Sequence, residues 1–389
     1  MQRLTTNQLS FRCFFFLCLG LTLFSALWAD PAHGAADNIT KRLANLESRW
    51  GHLQLAGEFS LLADYKQRAF EEYHTPDFKN YLNLYLDAQI DRNFYFYLLL
   101  SHYDNYGYLN QLYVREAAVR YRSPQLLVDL GKFHFTLDPL GLIADHSASP
   151  VQGFAIQTGN TAYYLGGFYS RLFLNPASID EEKIGVTSDD QFGLRIAVPK
   201  PGYMLGMTLV TTPEGDLSET AIGLDFITNV ADGALQTEVA WYKPGADSFQ
   251  SYKHDGAIGG LAVWNKNIAA TTYTVNAWYF EKGFAPVASA LNDSFLEKGE
   301  IYANNSYGIG GGVQQKLANN WDTTVKAGLL FSPDQTFSGP QFTFSGRLRK
   351  AFSLATNLEF GFDSGFEADV NKIDLHRYHR VFVGFNTIF

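Results

Sequence analysis

Tyr81-Leu-Asn-Leu-Tyr-Leu-Asp-Ala-Gln-Ile-Asp91 has two sides. Successive side chains of an extended chain point to opposite faces of a sheet. Leu82, Leu84, Leu86, Ala88 and Ile90 therefore share one face, and Asn83, Tyr85, Asp87, Gln89 and Asp91 the other. The pattern returns at Trp321–Phe331, where Trp321, Val325, Ala327, Leu329 and Phe331 alternate with Asp322, Thr324, Lys326 and Gly328. It returns again at Arg380–Phe389, with Val381, Val383, Phe385 and Phe389 set against Arg380, Gly384 and Asn386. Each segment has an apolar face that must be covered.

A soluble sandwich of two sheets uses the same alternation, so the connections carry more weight. Tight links lie at Asp91-Arg92-Asn93, Arg122-Ser123-Pro124, Gly159-Asn160, Pro199-Lys200-Pro201-Gly202, Asn265-Lys266-Asn267 and Ala318-Asn319-Asn320. They hold the Pro, Gly and Asn that turn geometry favours. Between them come long links at Tyr65–Pro76, Thr136–Ala148, Asn175–Asp189, Lys243–His254, Gly283–Asn304 and Glu367–His376. Short turns alternating with long loops, between segments of about ten residues, are the mark of an all-β, antiparallel, up-and-down transmembrane barrel. The expected count is about eighteen strands, with about sixteen as the fallback. The barrel is assigned to residues 51–389, where no helical period appears. Tyr, Trp and Phe near strand ends, such as Tyr95, Tyr121, Trp241 and Tyr279, suit a membrane interface.

The start of the chain supports export. Arg3 and Arg12 precede the apolar run Cys13–Ala26, and small residues follow, so residues 1–34 read as a secretory signal cleaved after Ala29 or Gly34. The run is short for a spanning helix. Asn38–Trp50 carries Ile39, Leu43 and Leu46 at helical spacing, and residues 35–50 are assigned to a short periplasmic helix and linker. Both cysteines, Cys13 and Cys18, fall inside the signal, which leaves the exported chain without disulfides or a cysteine-based metal site. The chain is acidic, with a net charge of −9, and this argues against nucleic acid as a partner. No residue pattern calls for a metal, nucleotide or organic cofactor.

Three runs point to a family. Glu116-Ala-Ala-Val-Arg-Tyr-Arg is followed by Leu130-Gly-Lys-Phe and then by Asp138-Pro-Leu-Gly-Leu. This resembles outer-membrane porins of diderm bacteria, of the phosphate-selective type and the related general porins. There, a strand of the kind Glu-Ala-Tyr-Val-x-Tyr leads to Leu-Gly-Arg-Phe and a Pro-Gly loop. Related barrels that bind the cell wall have a similar run. The likeness covers about thirty residues and the final strand. Ala118 replaces an aromatic, Lys132 replaces Arg, and neither a strong basic ladder nor an anchoring domain is present. The closing strand, with Val383, Phe385 and Phe389, resembles the signal read by the barrel-assembly machinery.

The resemblance implies an integral outer-membrane channel for passive diffusion of small polar solutes or ions, and a homotrimer. A barrel this wide is expected to enclose water, with selectivity set by charged rings and a constriction. Thr136–Ala148 is the candidate constriction, with Asp138, Asp145 and His146. Strand parity turns Glu116, Arg120, Arg122, Arg195, Lys326, Arg347, Arg349 and Arg380 into the lumen, together with the acids Asp87, Asp225, Glu238, Glu359 and Asp363. Lys132 joins the pore-lining set, although Asp129 has the opposite parity. The choice for Glu116 strands Arg115 on the lipid face, so a bulge or a high position must rescue it. The expected arrangement sets basic wall residues across from Asp138 and Asp145.

Two other functions compete. A barrel enzyme would need a nucleophile or acid–base set; His376 and His379 lie near Asp374, but no serine motif accompanies them. A structural or adhesive barrel that tethers envelope layers through its loops or the Asn38–Trp50 helix is the stronger alternative. A ligand-gated transporter would need a plug domain, and only about twenty residues separate the signal from the barrel.

Overall fold

Hydrocarbon offers no partner for a backbone N–H or C=O, so strands that cross it must pair on both sides. The chain meets this demand by closing a ring. The computed structural model describes residues 53–68, 77–105, 111–147, 150–172, 189–215, 218–245, 256–286, 305–332, 339–368 and 375–389. The proposed signal and the Asn38–Trp50 helix lie outside these residues.

Eighteen strands follow one another: β1 (Leu53–Arg68), β2 (Asp77–Gln89), β3 (Phe94–Asn105), β4 (Gln111–Arg122), β5 (Leu126–Phe133), β6 (Val151–Gly159), β7 (Tyr164–Leu172), β8 (Asp189–Lys200), β9 (Tyr203–Thr212), β10 (Glu219–Val230), β11 (Gly233–Pro244), β12 (Ala257–Ile268), β13 (Thr271–Phe280), β14 (Ser306–Lys316), β15 (Trp321–Phe331), β16 (Gln341–Ala351), β17 (Thr356–Ala368) and β18 (Leu375–Ile388). Each pairs antiparallel with the next, and β18 pairs with β1. Closure runs from Glu58 opposite Ile388 to Arg68 opposite Tyr378, and Gly57 and Phe389 exchange both backbone hydrogen bonds at 2.8 Å. The Phe389 ring lies where a side chain on residue 57 would sit, so a larger residue there would have to displace the terminal ring.

Tight turns and long loops segregate to opposite ends, as expected. Two turns differ from the sequence reading. Asn265-Lys266-Asn267 belongs to β12, and the chain reverses at Ala269, which adopts a left-handed φ of 52°. A further turn lies at Ala231-Asp232, with φ of 52° and 59°; it is marked by Asp232-Gly233, a hairpin signal not among the tight links named above. Links 106–110, 213–218 and 332–340 join the loop end as well.

The outward face is apolar along every wall segment. On β8 it presents Phe192, Leu194, Ile196 and Val198, and on β9 Tyr203, Leu205, Met207 and Leu209. Asp190 and Lys200 bound that column on β8. Ten residues of strand tilted by about 40° rise roughly 25 Å along the membrane normal, the height of a hydrocarbon belt. At the loop end Tyr279, Tyr307 and Phe331 form a row, with ring centroids 6.4 and 5.3 Å apart. An apolar belt of this extent is stable only against lipid.

Among the described residues the ladders show one register shift. Leu99 faces Glu116 but Leu100 faces Val114, so Arg115 is an extra residue on β4. This bulge brings Arg115 to the lumen side, within electrostatic reach of Glu58 and Tyr85. Opposite β4, Gly131 holds φ of +126°, and a Cβ there would lie 2.4 Å from the Ala117 carbonyl oxygen. Gly131→Ala should therefore lower stability by roughly 2–3 kcal/mol. The check is the urea midpoint of the chain refolded into lipid vesicles.

Candidate functional site

The link after β5 turns inward instead of out. Phe135–Leu137 and Ala144–His146 run side by side: Leu137 N–H donates to Ala144 O and His146 N–H to Phe135 O, each at 2.8 Å. Thr136 and Asp145 bridge between them. Apolar side chains drive the docking. Leu142, Ile143 and Ala144 are fully buried, as is Phe133 at the root. Phe135 packs on Phe168 of β7 with centroids 4.7 Å apart. Leu137 reaches over Gly166 of β7, and Ile143 over Gly223 of β10. Leu140 N–H donates to Glu238 Oε2 of β11 at 3.1 Å. The hairpin thus lies along the inner wall from β7 to β11.

A second segment follows it. Phe284, just after β13, is fully buried against Phe280 and Tyr242, with centroids 5.8 and 6.2 Å away, and over Gly259 of β12. One side of the lumen is therefore a packed core. The expectation of a wholly water-filled interior is corrected to this extent. Nothing in the sequence marks Phe284 as inward, since only the tertiary fold supplies its aromatic partners.

Two predicted constriction residues serve the hairpin itself. The Asp138 carboxylate accepts from Ile143 N–H at 3.1 Å and Ala144 N–H at 2.9 Å, and only 2 % of the residue is exposed. It closes the hairpin turn and does not line the passage, which corrects its expected place opposite the basic wall. His146 is buried between Phe135 and Phe168. Its Nε2 lies 2.9 Å from Gln191 Oε1, while Gln191 Nε2 donates to Glu219. With the amide nitrogen so engaged, the His146 proton belongs on Nε2. Only Asp145 stays half-exposed, its Oδ1 taking Thr136 Oγ1–H at 2.8 Å and Ser147 N–H at 2.9 Å.

The wall cations are mostly paired. Arg195 of β8 bonds Asp225 of β10 at 2.5 and 2.9 Å, both nearly inaccessible, with Thr208 Oγ1 at 3.1 Å and the Tyr164 ring nearby. Glu238 faces Asp225 across the β10–β11 ladder. Arg120 of β4 grips Asp129 of β5 at 2.6 and 3.0 Å and lies over the Tyr97 ring. Arg380 of β18 holds Asp64 of β1 at 2.9 and 3.1 Å, across the closing seam. Glu116 meets His134 Nδ1 at 2.8 Å.

The wall away from the hairpin is more open. Arg347 of β16 is half-buried, 3.4 Å from Glu359 and 3.6 Å from Asp363 of β17. The Phe382 ring lies between the Arg347 and Arg380 guanidiniums, at 5.1 and 4.7 Å. Lys326 and Arg349 face inward on β15 and β16 by the ladder register. Arg122 is exposed at the turn end, lining an open recess with Gln125, Asn160, Tyr163 and Tyr164. Glu58 of β1 accepts from Asn83 at 3.2 Å, Tyr85 at 2.8 Å and Asn386 at 2.5 Å, tying β18 to β2. Sequence reading did not single out Glu58, Asp64 or Asp129, because their partners lie on other strands.

Lys132 is a correction. It pairs with Ala117, on the outward side of β5, one step from inward Asp129 and Phe133 in parity. Its Nζ donates to the Val114 carbonyl at 2.8 Å, beside the Arg115 bulge. His379, weighed for a barrel enzyme, also lies on the outward side of β18, while inward Arg380 is its neighbour.

No family model matches the chain, and no curated protein matches it. Its fold does recur among solved structures. OpdO of Pseudomonas aeruginosa superposes with a TM-score of 0.62 at 9 % identity, covering 88 % of this chain and 99 % of that one. OccK1 (OpdK) of the same species gives 0.58 at 12 %, covering 86 % and 99 %. OpdK is an outer membrane protein, and one of its structures holds vanillate. At such identities the likeness establishes the barrel fold.

Burial pushes His146 down to about 4, below the value near 6.5 of a free imidazole. The unfolded chain then binds the proton that the folded one refuses between these values. The His146 contribution to stability is full above about pH 6.5 and declines as pH falls towards 4. His146→Phe should flatten this part of the stability–pH curve, read as unfolding midpoints in vesicles from pH 7.5 to 4. An equal slope in both proteins would show that His146 is not the titrating group.

Proposed function

We propose that the chain is an outer-membrane porin: a channel for passive diffusion of small polar solutes or ions. The observation that carries this reading is the closed ring with apolar residues outside, charged residues inside, and a hairpin folded inward against one side of the wall. The fold shared with an outer membrane protein of Pseudomonas aeruginosa supports the location. Export by residues 1–34 and assembly directed by Val383, Phe385 and Phe389, on the outward side of β18, belong to the same proposal.

In this reading, selectivity arises on the open wall. Arg347, Lys326, Arg349 and Arg122 supply positive charge, and Asp145 and Glu359 supply negative charge. Arg195, Arg120 and Arg380 are neutralised by their acids and act as struts. A single strong sign is missing, which favours a general pore over a phosphate-selective one, although the Glu116–Arg122 run resembles both. The homotrimer implied by that resemblance remains part of the proposal, tested by the native mass of the detergent complex. A tether is the alternative reading, and conductance separates the two.

Planar-bilayer recording should show discrete conductance steps for the purified chain. Arg347→Ala should shift the reversal potential in a salt gradient towards cation preference, and Asp145→Ala towards anion preference. Arg195→Met should leave it unchanged while lowering stability, because it strands Asp225 among buried acids. Absence of conductance from inserted protein would favour the tether.

A further inference from the structure

Lys132 has no place in the channel, and its surroundings on the outer surface form a pattern. The ladders set Lys132 of β5 opposite Gln152 of β6, Gln152 opposite Arg171 of β7, and Arg171 opposite Asp190 of β8. Side chains directly opposite share a face, so these four make one lateral row on the outward side. Two residues towards the membrane centre, the same ladders align Leu130, Phe154, Tyr169 and Phe192. The rings of that row touch, with centroids 5.9 and 5.2 Å apart. The surface thus passes from aromatic to charged in one step. Asp190 tops the apolar column of β8, which places the row at the boundary of the outer leaflet.

The charges of the row are not balanced. Arg171 Nε is 3.1 Å from Asp190 Oδ1, which orients the guanidinium but uses one of its sides. Lys132 has no carboxylate partner among the described residues; its one bond is to the Val114 carbonyl. At the edge of hydrocarbon a cation reaches the headgroup level at small cost, and an anionic headgroup meeting it there adds attraction. Neighbouring strands are about 4.8 Å apart, so Lys132 and Arg171 stand roughly 10 Å apart with Gln152 between them. Ala117 stands on the other side of Lys132, and Lys132 itself is half-buried.

We propose that Lys132, Gln152 and Arg171 form a docking surface for the phosphate-bearing headgroup of an outer-leaflet lipid. The two cations take phosphate oxygens, the Gln152 amide takes a phosphate or hydroxyl oxygen, and the aromatic row below receives the upper acyl chain. This rests on the membrane reading above and is independent of conduction.

The test uses the full chain in phosphatidylcholine vesicles doped with diphosphorylated lipid A or with the same lipid stripped of its phosphates. Insertion is scored first, by protection from protease, and bound lipid is then counted by native mass spectrometry. Lys132→Ala and Arg171→Ala should each weaken retention of lipid A about fivefold, as expected for one cation at a charged surface. Lys200→Ala, outward at the opposite rim, should not. Equal retention of the dephosphorylated lipid, or equal loss in Lys200→Ala, would overturn the proposal. So would tenacious binding of inorganic phosphate alone, which would mark a site for free anions. Failure to insert would remove the membrane reading itself; insertion without phosphate-dependent retention would remove only this inference.

Discussion

The structure depends on one constraint: every backbone polar group along the membrane height must find its partner within the sheet. A sheet of any strand number leaves two edges until its first and last strands meet. Here β1 and β18 meet over a long ladder, finished by the paired bonds of Gly57 and Phe389. Side chains reinforce the seam on the lumen side. Glu58 gathers Asn83, Tyr85 and Asn386, and Arg380 reaches Asp64. The Glu58–Asn386 and Arg380–Asp64 contacts join residues more than three hundred positions apart, so the seam is also the part of the fold with the greatest loop-closure cost.

Closure creates a second problem, because a ring of eighteen strands is too wide to fill with its own side chains. The chain solves it unevenly. Between β5 and β13 the inward residues include glycines, alanines and aromatics, and the 134–147 hairpin and Phe284 pack onto them. From β14 through β18 to β4 the inward residues include more charged and hydrogen-bonded groups; Ser345, Asp363 and Arg380 among them are buried, while Lys326, Arg347 and Glu359 are only half-buried. The asymmetry of the pore is thus an asymmetry of side-chain size and polarity along the wall.

Charge pairing divides the cations by burial. A buried charge must be matched, and Arg195 with Asp225 illustrates this at an exposure of 3 % and 1 %. Such a pair contributes little net field to a passing ion. Arg347 is less buried and lies 3.4 and 3.6 Å from its two acids. Position on the wall, more than residue type, decides how tightly an arginine is paired.

Period-2 alternation is a local property, and so the facing of Arg195, Arg347, Arg380 and Asp225 was readable from the chain alone; the barrel and its approximate strand count came from the alternation of tight turns with long loops. The same parity required a special position at Arg115, where the bulge lies. Parity fails where backbone geometry is set by tertiary contact. Ala269 turns without the usual residues, and Lys132 turns outward because the register of β4 with β5 fixes it. Loops carry no period. The inward fold of 134–147 was expected only from resemblance, and the burial of Asp138 and His146 follows from partners on β7, β8 and β11. Which charges cancel and which remain available is likewise a matter of distance between strands, and distance is settled only when the ring closes.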